Sequence, residues 1–257
     1  MKRRFFMLAL AGLVGFSFVG TSCGDDDDDD TTPVVKPDNQ KPDDQKPDDQ
    51  KPDDQKPDDQ KPEETKKNHV LVIKAKDRAS EDWDSQFWLV SNTVFNNGDT
   101  WEISMKVKSQ VAVEETRVNG EGKEFTVDGI GTQLHEAPGA YAHWNAIGNV
   151  PFTTEWKTFT KTGTFDGIPD GKECKSIAFN LNYFTKANEY YFDDISFKVN
   201  GTEVLSNGKF EKDDFSSFVY KLAGENLGED GGAGIVEVTS AMLSETDEIV
   251  ITETPAE

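Results

Sequence analysis

The chain has 257 residues, with 49 acidic side chains against 27 basic ones and a formal net charge of -22. Charge of that sign repels nucleic-acid phosphates and anionic lipid headgroups, and it suits a neutral partner or a cation. With only two cysteines, Cys23 and Cys174, no disulfide network staples the fold.

The first element is a signal. Met1-Lys2-Arg3-Arg4 is basic, and residues 5–19 form an apolar run of signal-peptide length, too short and wrongly flanked to span a membrane. Small residues, Gly20-Thr21-Ser22, lead into Cys23, and six aspartates follow at 25–30. This N-terminus resembles a bacterial lipoprotein signal, with residues 1–22 as the signal peptide and Cys23 as the lipidated first residue of the mature chain. Gly20 departs from the pattern, since a leucine-like residue is usual three before the cysteine. The acidic run resembles the export tag of surface lipoproteins in glycan-foraging Gram-negative bacteria. The resemblance implies an outer-membrane, cell-surface location and membrane contact through the lipid anchor alone. With Cys23 acylated, Cys174 has no disulfide partner. An ordinary secretory signal with an incidental cysteine is the alternative.

Residues 23–67 read as a tether. From 36 to 65 a five-residue unit repeats: Lys36-Pro37-Asp38-Asn39-Gln40, four copies of Lys-Pro-Asp-Asp-Gln, then Lys61-Pro62-Glu63-Glu64-Thr65. Nothing apolar offsets the entropy of ordering, so the expectation is a disordered spacer. Proline and like charges favour extension, and thirty residues at roughly 3 Å each reach about 90 Å. Residues 25–65 carry 17 acidic and 6 basic side chains, a net of -11, and residues 66–257 keep -14.

Beyond residue 67 the pattern turns to period two. Residues 70–73 and 87–90 are short continuous apolar runs, consistent with strands buried on both faces. Trp101, Ile103, Met105 and Val107 alternate with Glu102, Ser104, Lys106 and Lys108, a half-buried strand. Trp156 and Phe159 open a Thr-rich run to Phe165. Ile177, Phe179 and Leu181 alternate with Ala178, Asn180 and Asn182, and Tyr191, Ile195 and Phe197 are expected on one face of 190–199. Asn96-Asn97-Gly98-Asp99, Asn119-Gly120, Asp166-Gly167 and Pro169-Asp170-Gly171 supply turns. No window carries a capped helical stripe. The prediction is all-β, a sandwich or jelly roll.

Asp82-Trp83-Asp84-Ser85-Gln86-Phe87-Trp88, the stretch from Thr132-Gln133-Leu134-His135 to His143-Trp144, and Tyr190-Tyr191-Phe192-Asp193-Asp194-Ile195 stand together. With Trp101-Glu102-Ile103-Ser104 and Phe152-Thr153-Thr154-Glu155-Trp156, they resemble carbohydrate-binding modules of the family 4/9/22 type, as found with family 10 xylanases. The resemblance covers roughly residues 68–200 and implies a galactose-binding-like jelly-roll β-sandwich, non-catalytic glycan binding and often one structural calcium. Family members usually begin with an Asn-Gly-x-Phe-Glu strand. Here that pattern comes late, as Asn207-Gly208-Lys209-Phe210-Glu211. Residues 201–257 are therefore either the permuted first strands of the same sandwich or the opening of an unfinished second module.

A sugar ring offers C–H groups on its faces and hydroxyls at its rim, so binding needs an exposed aromatic platform and planar polar side chains. Tyr141, His143 and Trp144 lie in a Gly- and Pro-flanked segment, Trp83 lies among Asp82, Asp84 and Ser85, and Gln133, His135, Asn180 and Asn182 are polar positions on or beside strands. These eight are the candidate groove. Trp144 and Trp83 have core packing as their alternative, whereas Trp101 and Trp156 are expected in the core. Asp194 and Glu211 are the side-chain candidates for Ca2+ that the resemblance implies. The spacing of His135, Glu136 and His143 matches no zinc signature, and no nucleophile or phosphate-loop motif is present. The expectation is a surface lipoprotein that holds a neutral β-linked polysaccharide, xylan or β-glucan, without cleaving it, alongside other glycan-uptake proteins. The alternatives are a glycoside hydrolase or xylanase fragment, and a structural adhesin or assembly protein.

Overall fold

The computed structural model describes residues 67–225 and 234–251. The signal, Cys23 and the repeat lie outside the described residues. In chain order the strands are β1 (Asn68–Ala75), β2 (Gln86–Val90), β3 (Thr100–Ser109), β4 (Glu115–Val118) and β5 (Glu124–Val127). Then come β6 (Thr132–Ala137), β7 (Ala140–His143), β8 (Lys157–Thr164), β9 (Ser176–Asn180) and β10 (Asn188–Val199). The last four are β11 (Thr202–Glu203), β12 (Phe218–Lys221), β13 (Val236–Glu237) and β14 (Leu243–Thr246). All pair antiparallel. The first sheet runs β14-β1-β10-β3-β8, with β11 on β10, and the second runs β13-β12-β2-β9-β6-β7. β4 and β5 form a separate hairpin. The protein is an all-β jelly-roll sandwich, and its only described helical turns are two short 3-10 segments.

Alternation builds the core. In β3, Trp101, Ile103, Met105 and Val107 are buried and the residues between them face outward. Phe87, Phe179, Phe192 and Phe218 meet between the sheets, with Phe87 and Phe192 at 4.8 Å. Burying each such ring contributes about 1.5–3 kcal/mol. The continuous run in β1 has the expected cause. Leu71 and Ile73 face the main core, while Val70 and Val72 lie under an outer patch with Ile249, Trp156 and Tyr191. Trp156 thus packs outside the main core rather than in it.

Two readings of the strands need correction. Along β10, Tyr190 and Phe192 point inward, and Tyr191 joins the outer patch. The register slips between Asp193 and Ser196, where Asp194 takes φ 50°, so the inward parity changes to Ile195, Phe197 and Val199. Strand β9 stops at Asn180, and Leu181–Tyr183 is a 3-10 turn, so Asn182 no longer follows the alternation.

The segment after Val199 packs into this same sandwich. β12 pairs with β2, β14 pairs with β1, and Phe210 and Phe218 are buried in the common core. Asn207-Gly208-Lys209-Phe210-Glu211 is a turn here, not a strand. Asn207 and Phe210 both have positive φ, and Phe210 N–H donates to Asn207 O at 2.9 Å. The Asn207 amide also donates to Asp214 O at 3.0 Å. The turn presses on the β10 bulge: Ile195 N–H donates to Gly208 O, and a Cβ on Gly208 would lie 1.7 Å from Ile195 O.

Candidate functional site

The outer face of the second sheet carries a groove of about 540 Å³. Phe87, Leu89, Leu134, Ile177, Phe179 and Phe218 turn inward, so their neighbours turn out. In register across the sheet, Lys221 faces Gln86, Gln86 faces Asn180, Gln133 faces Ala178, and His135 lies beside Tyr141. The groove is lined by Trp83, Gln86, Gln133, His135, Gly139, Tyr141, Trp144 and Lys221. A second recess of about 160 Å³ is lined by Trp83, Gln133, Trp144, Asn180 and Tyr183. The two share Trp83, Gln133 and Trp144.

Three rings stand out in water: Trp83 is 48%, Tyr141 52% and Trp144 69% exposed. The Trp83 loop is held by its flanking aspartates. Asp84 Oδ2 accepts from the backbone N–H of Ala79, Ser80 and Glu81, and Asp82 pairs with Arg78 and Arg117. Tyr141 projects from β7, with its ring 6.0 Å from that of His135.

The floor is a polar network. Trp88, fully buried, donates Nε1–H to His135 Nδ1 at 3.3 Å. His135 is itself buried, and burial pushes its pKa down to about 4. The neutral ring therefore carries its proton on Nε2 and donates to Gln133 Oε1 at 3.3 Å. That leaves the Gln133 amide nitrogen as a donor for the groove. Gln86 Nε2 donates to Asn180 Oδ1 at 2.8 Å, which leaves Gln86 Oε1 as an acceptor and Asn180 Nδ2 as a donor. Both polarities are offered to a hydroxyl rim.

Of the eight residues expected in the groove, six line it or the recess beside it: Trp83, Gln133, His135, Asn180, Tyr141 and Trp144. His143 supports instead. Its Nδ1 lies 2.9 Å from Asn145 O and 3.3 Å from Asn145 N, and its ring lies where a Cβ on Gly167 would come within 2.8 Å. Asn182 is buried away from the groove, with Nδ2 donating to Lys76 O at 2.9 Å, because the 3-10 turn redirects it. Gln86, Trp88 and Lys221 were not foreseen. Their signal is the alternation of 86–90 and 218–221, which leaves these three opposite the buried phenylalanines.

Asp194 and Glu211 line a different pocket, of about 600 Å³, with Asn68, Lys106, Lys209 and Ile249. Lys106 Nζ lies 2.8 Å from Asp194 Oδ2 and 3.3 Å from Ile249 O. Glu211 accepts from His69 N–H at 3.0 Å and lies 3.2 Å from His69 Nδ1. Calcium takes about 6–8 oxygens. An ammonium sits between this carboxylate and this carbonyl, and no group of three or more His, Cys, Asp or Glu is poised for a metal among the described residues. The residues do not fit the expected ion.

No family model matches the chain, and no curated protein does. Among solved structures, it is similar to "PbXyn10C CBM APO", with 17% identity and a TM-score of 0.47 over 69% of this chain and 91% of that one. It is also similar to "CBM4 structure and function", with 22% identity and a TM-score of 0.36 over 51% of this chain and 70% of that one. These likenesses are distant, and the functional reading rests on the groove itself.

Proposed function

We propose that the groove on the second sheet binds a β-linked polysaccharide with a neutral backbone, of xylan or β-glucan type, and breaks no bond. The observation that carries this reading is one surface with three exposed rings, Trp83, Tyr141 and Trp144, beside a floor of amides. Rings take the C–H faces of sugars, and the Gln86, Gln133 and Asn180 amides take the hydroxyls. Binding without cleavage is supported by the lining: glycoside hydrolysis uses a pair of carboxylates, and among the described residues the groove and its recess are lined by a single one, Asp82, which is paired with Arg78 and Arg117. The proposal extends to lipidation at Cys23 and display at the cell surface beside other glycan-uptake proteins, on the strength of the N-terminal sequence. It includes no calcium, because Lys106 supplies the positive charge beside Asp194.

Retardation of the full chain in gels containing xylan or β-glucan tests the reading. Trp144→Ala is expected to abolish retardation while leaving the unfolding temperature within a degree or so, since an exposed ring adds little to stability. A drop of the size expected for a vacated core site, about 3–5 kcal/mol, would count against a binding role. Release of reducing ends during incubation would replace binding by hydrolysis.

A further inference from the structure

Lys221 is the one charged side chain among the groove's lining residues. It ends β12, directly opposite Gln86 on β2, and is half-buried. It makes no ion pair or hydrogen bond among the described residues. The nearby acid Asp84 is occupied by three backbone amides. Glu237 shares this face at the edge strand β13, opposite Val219, and does not line the groove. Burial pushes the Lys221 ammonium's pKa down, and Asp84 pulls it back up. Placing a lone, partly desolvated cation on the binding face of a strongly acidic protein is costly unless a partner answers it.

The rings and the cation share one groove: Trp83 lies three residues ahead of Gln86, which faces Lys221, and Tyr141 and Trp144 line the same cleft. A sugar backbone seated on the rings would thus bring a neighbouring unit or a branch to Lys221.

We propose that Lys221 receives a carboxylate, so that the preferred glycan carries a uronic acid substituent on its neutral backbone. This deepens the carbohydrate-binding reading and rests on it. The carboxylate would accept charge-assisted hydrogen bonds from Lys221 Nζ, with the Gln86 amide alongside.

Calorimetry on the full chain tests this with two xylo-oligosaccharides of equal length. One bears a glucuronic acid branch, and the other is its carboxyl-reduced counterpart. The acid is expected to bind about tenfold tighter, against the repulsion of a net charge of -22. The gap should narrow in about 0.5 M sodium chloride without vanishing, because salt screens exposed charges within a few ångströms but a half-buried contact pair much less. Lys221→Met should bring the acid down to the affinity of the reduced probe, Lys221→Arg should keep the preference, and Trp144→Ala should weaken both probes alike. Equal affinities in the unaltered protein, or a gap that survives Lys221→Met, would overturn the carboxylate proposal and leave glycan binding standing. Binding of neither probe, nor of any xylan or glucan, would overturn both.

Discussion

At the scale of single residues, His135 and Gly208 hold the most specific constraints. His135 accepts a hydrogen bond from Trp88 at the ring nitrogen that protonation would occupy. Its ordinary pKa of 6.5 falls to about 4 in the fold because it is buried. Between those values the unfolded chain binds a proton that the folded chain refuses, so stability rises with pH across that window and falls as pH drops from 6.5 toward 4. Urea unfolding of the parent and of His135→Gln over this range should show a steeper pH slope in the parent. Equal slopes would mean that His135 titrates normally. Gly208 is fixed by contact with backbone, which cannot rotate away. Gly208→Ala should cost about 2–4 kcal/mol, whereas Gly120→Ala should stay within about 0.5 kcal/mol, as open space surrounds it. Comparable losses at the two glycines would remove the argument from the Ile195 carbonyl.

At the scale of elements, a strand from late in the chain, β12, completes the face that carries the groove. β12 brings Phe218 into the core and Lys221 to the groove while covering the edge of β2. Removing residues 201–257 would strip β11 to β14, expose that edge, and empty the sites of Phe210 and Phe218. The shortened chain is expected to lose its cooperative thermal transition and its retention in polysaccharide gels; a truncated protein with unchanged melting and binding would show that the sandwich closes without them. This dependence also explains what could be read beforehand. The face of β3 follows from local alternation. The inward residues of β10 do not, because the Asp194 bulge is set by the turn pressing on it from residues 207–210. Trp83, Tyr141 and Trp144 stand out in sequence through their polar and glycine-rich neighbours. Gln86 and Lys221 do not, since only the order β12-β2-β9-β6-β7 puts them on the same surface as the rings. The Asn207–Glu211 pattern suggested a strand, yet two positive φ angles make it a turn.

At the scale of the whole molecule, the acidic sequence and the proposed anchor at Cys23 would act on the same problem, which is holding glycan near a cell without sticking to lipid. Cys23→Ala should abolish incorporation of a labelled fatty acid, and protease added to intact cells should shave the parent protein from their surface. Continued labelling of the variant would refute the anchor assignment, and protection in intact cells would refute surface display. An anchored protein that grips a large polymer is also pulled upon. The sandwich begins at β1, which lies inside its sheet, with β10 on one flank and β14 on the other. An edge strand peels away one rung after another under tension. An entry strand clamped on both sides must break rungs in parallel, so a tug arriving from the N-terminal side meets one of the most heavily cross-braced points of the sheet.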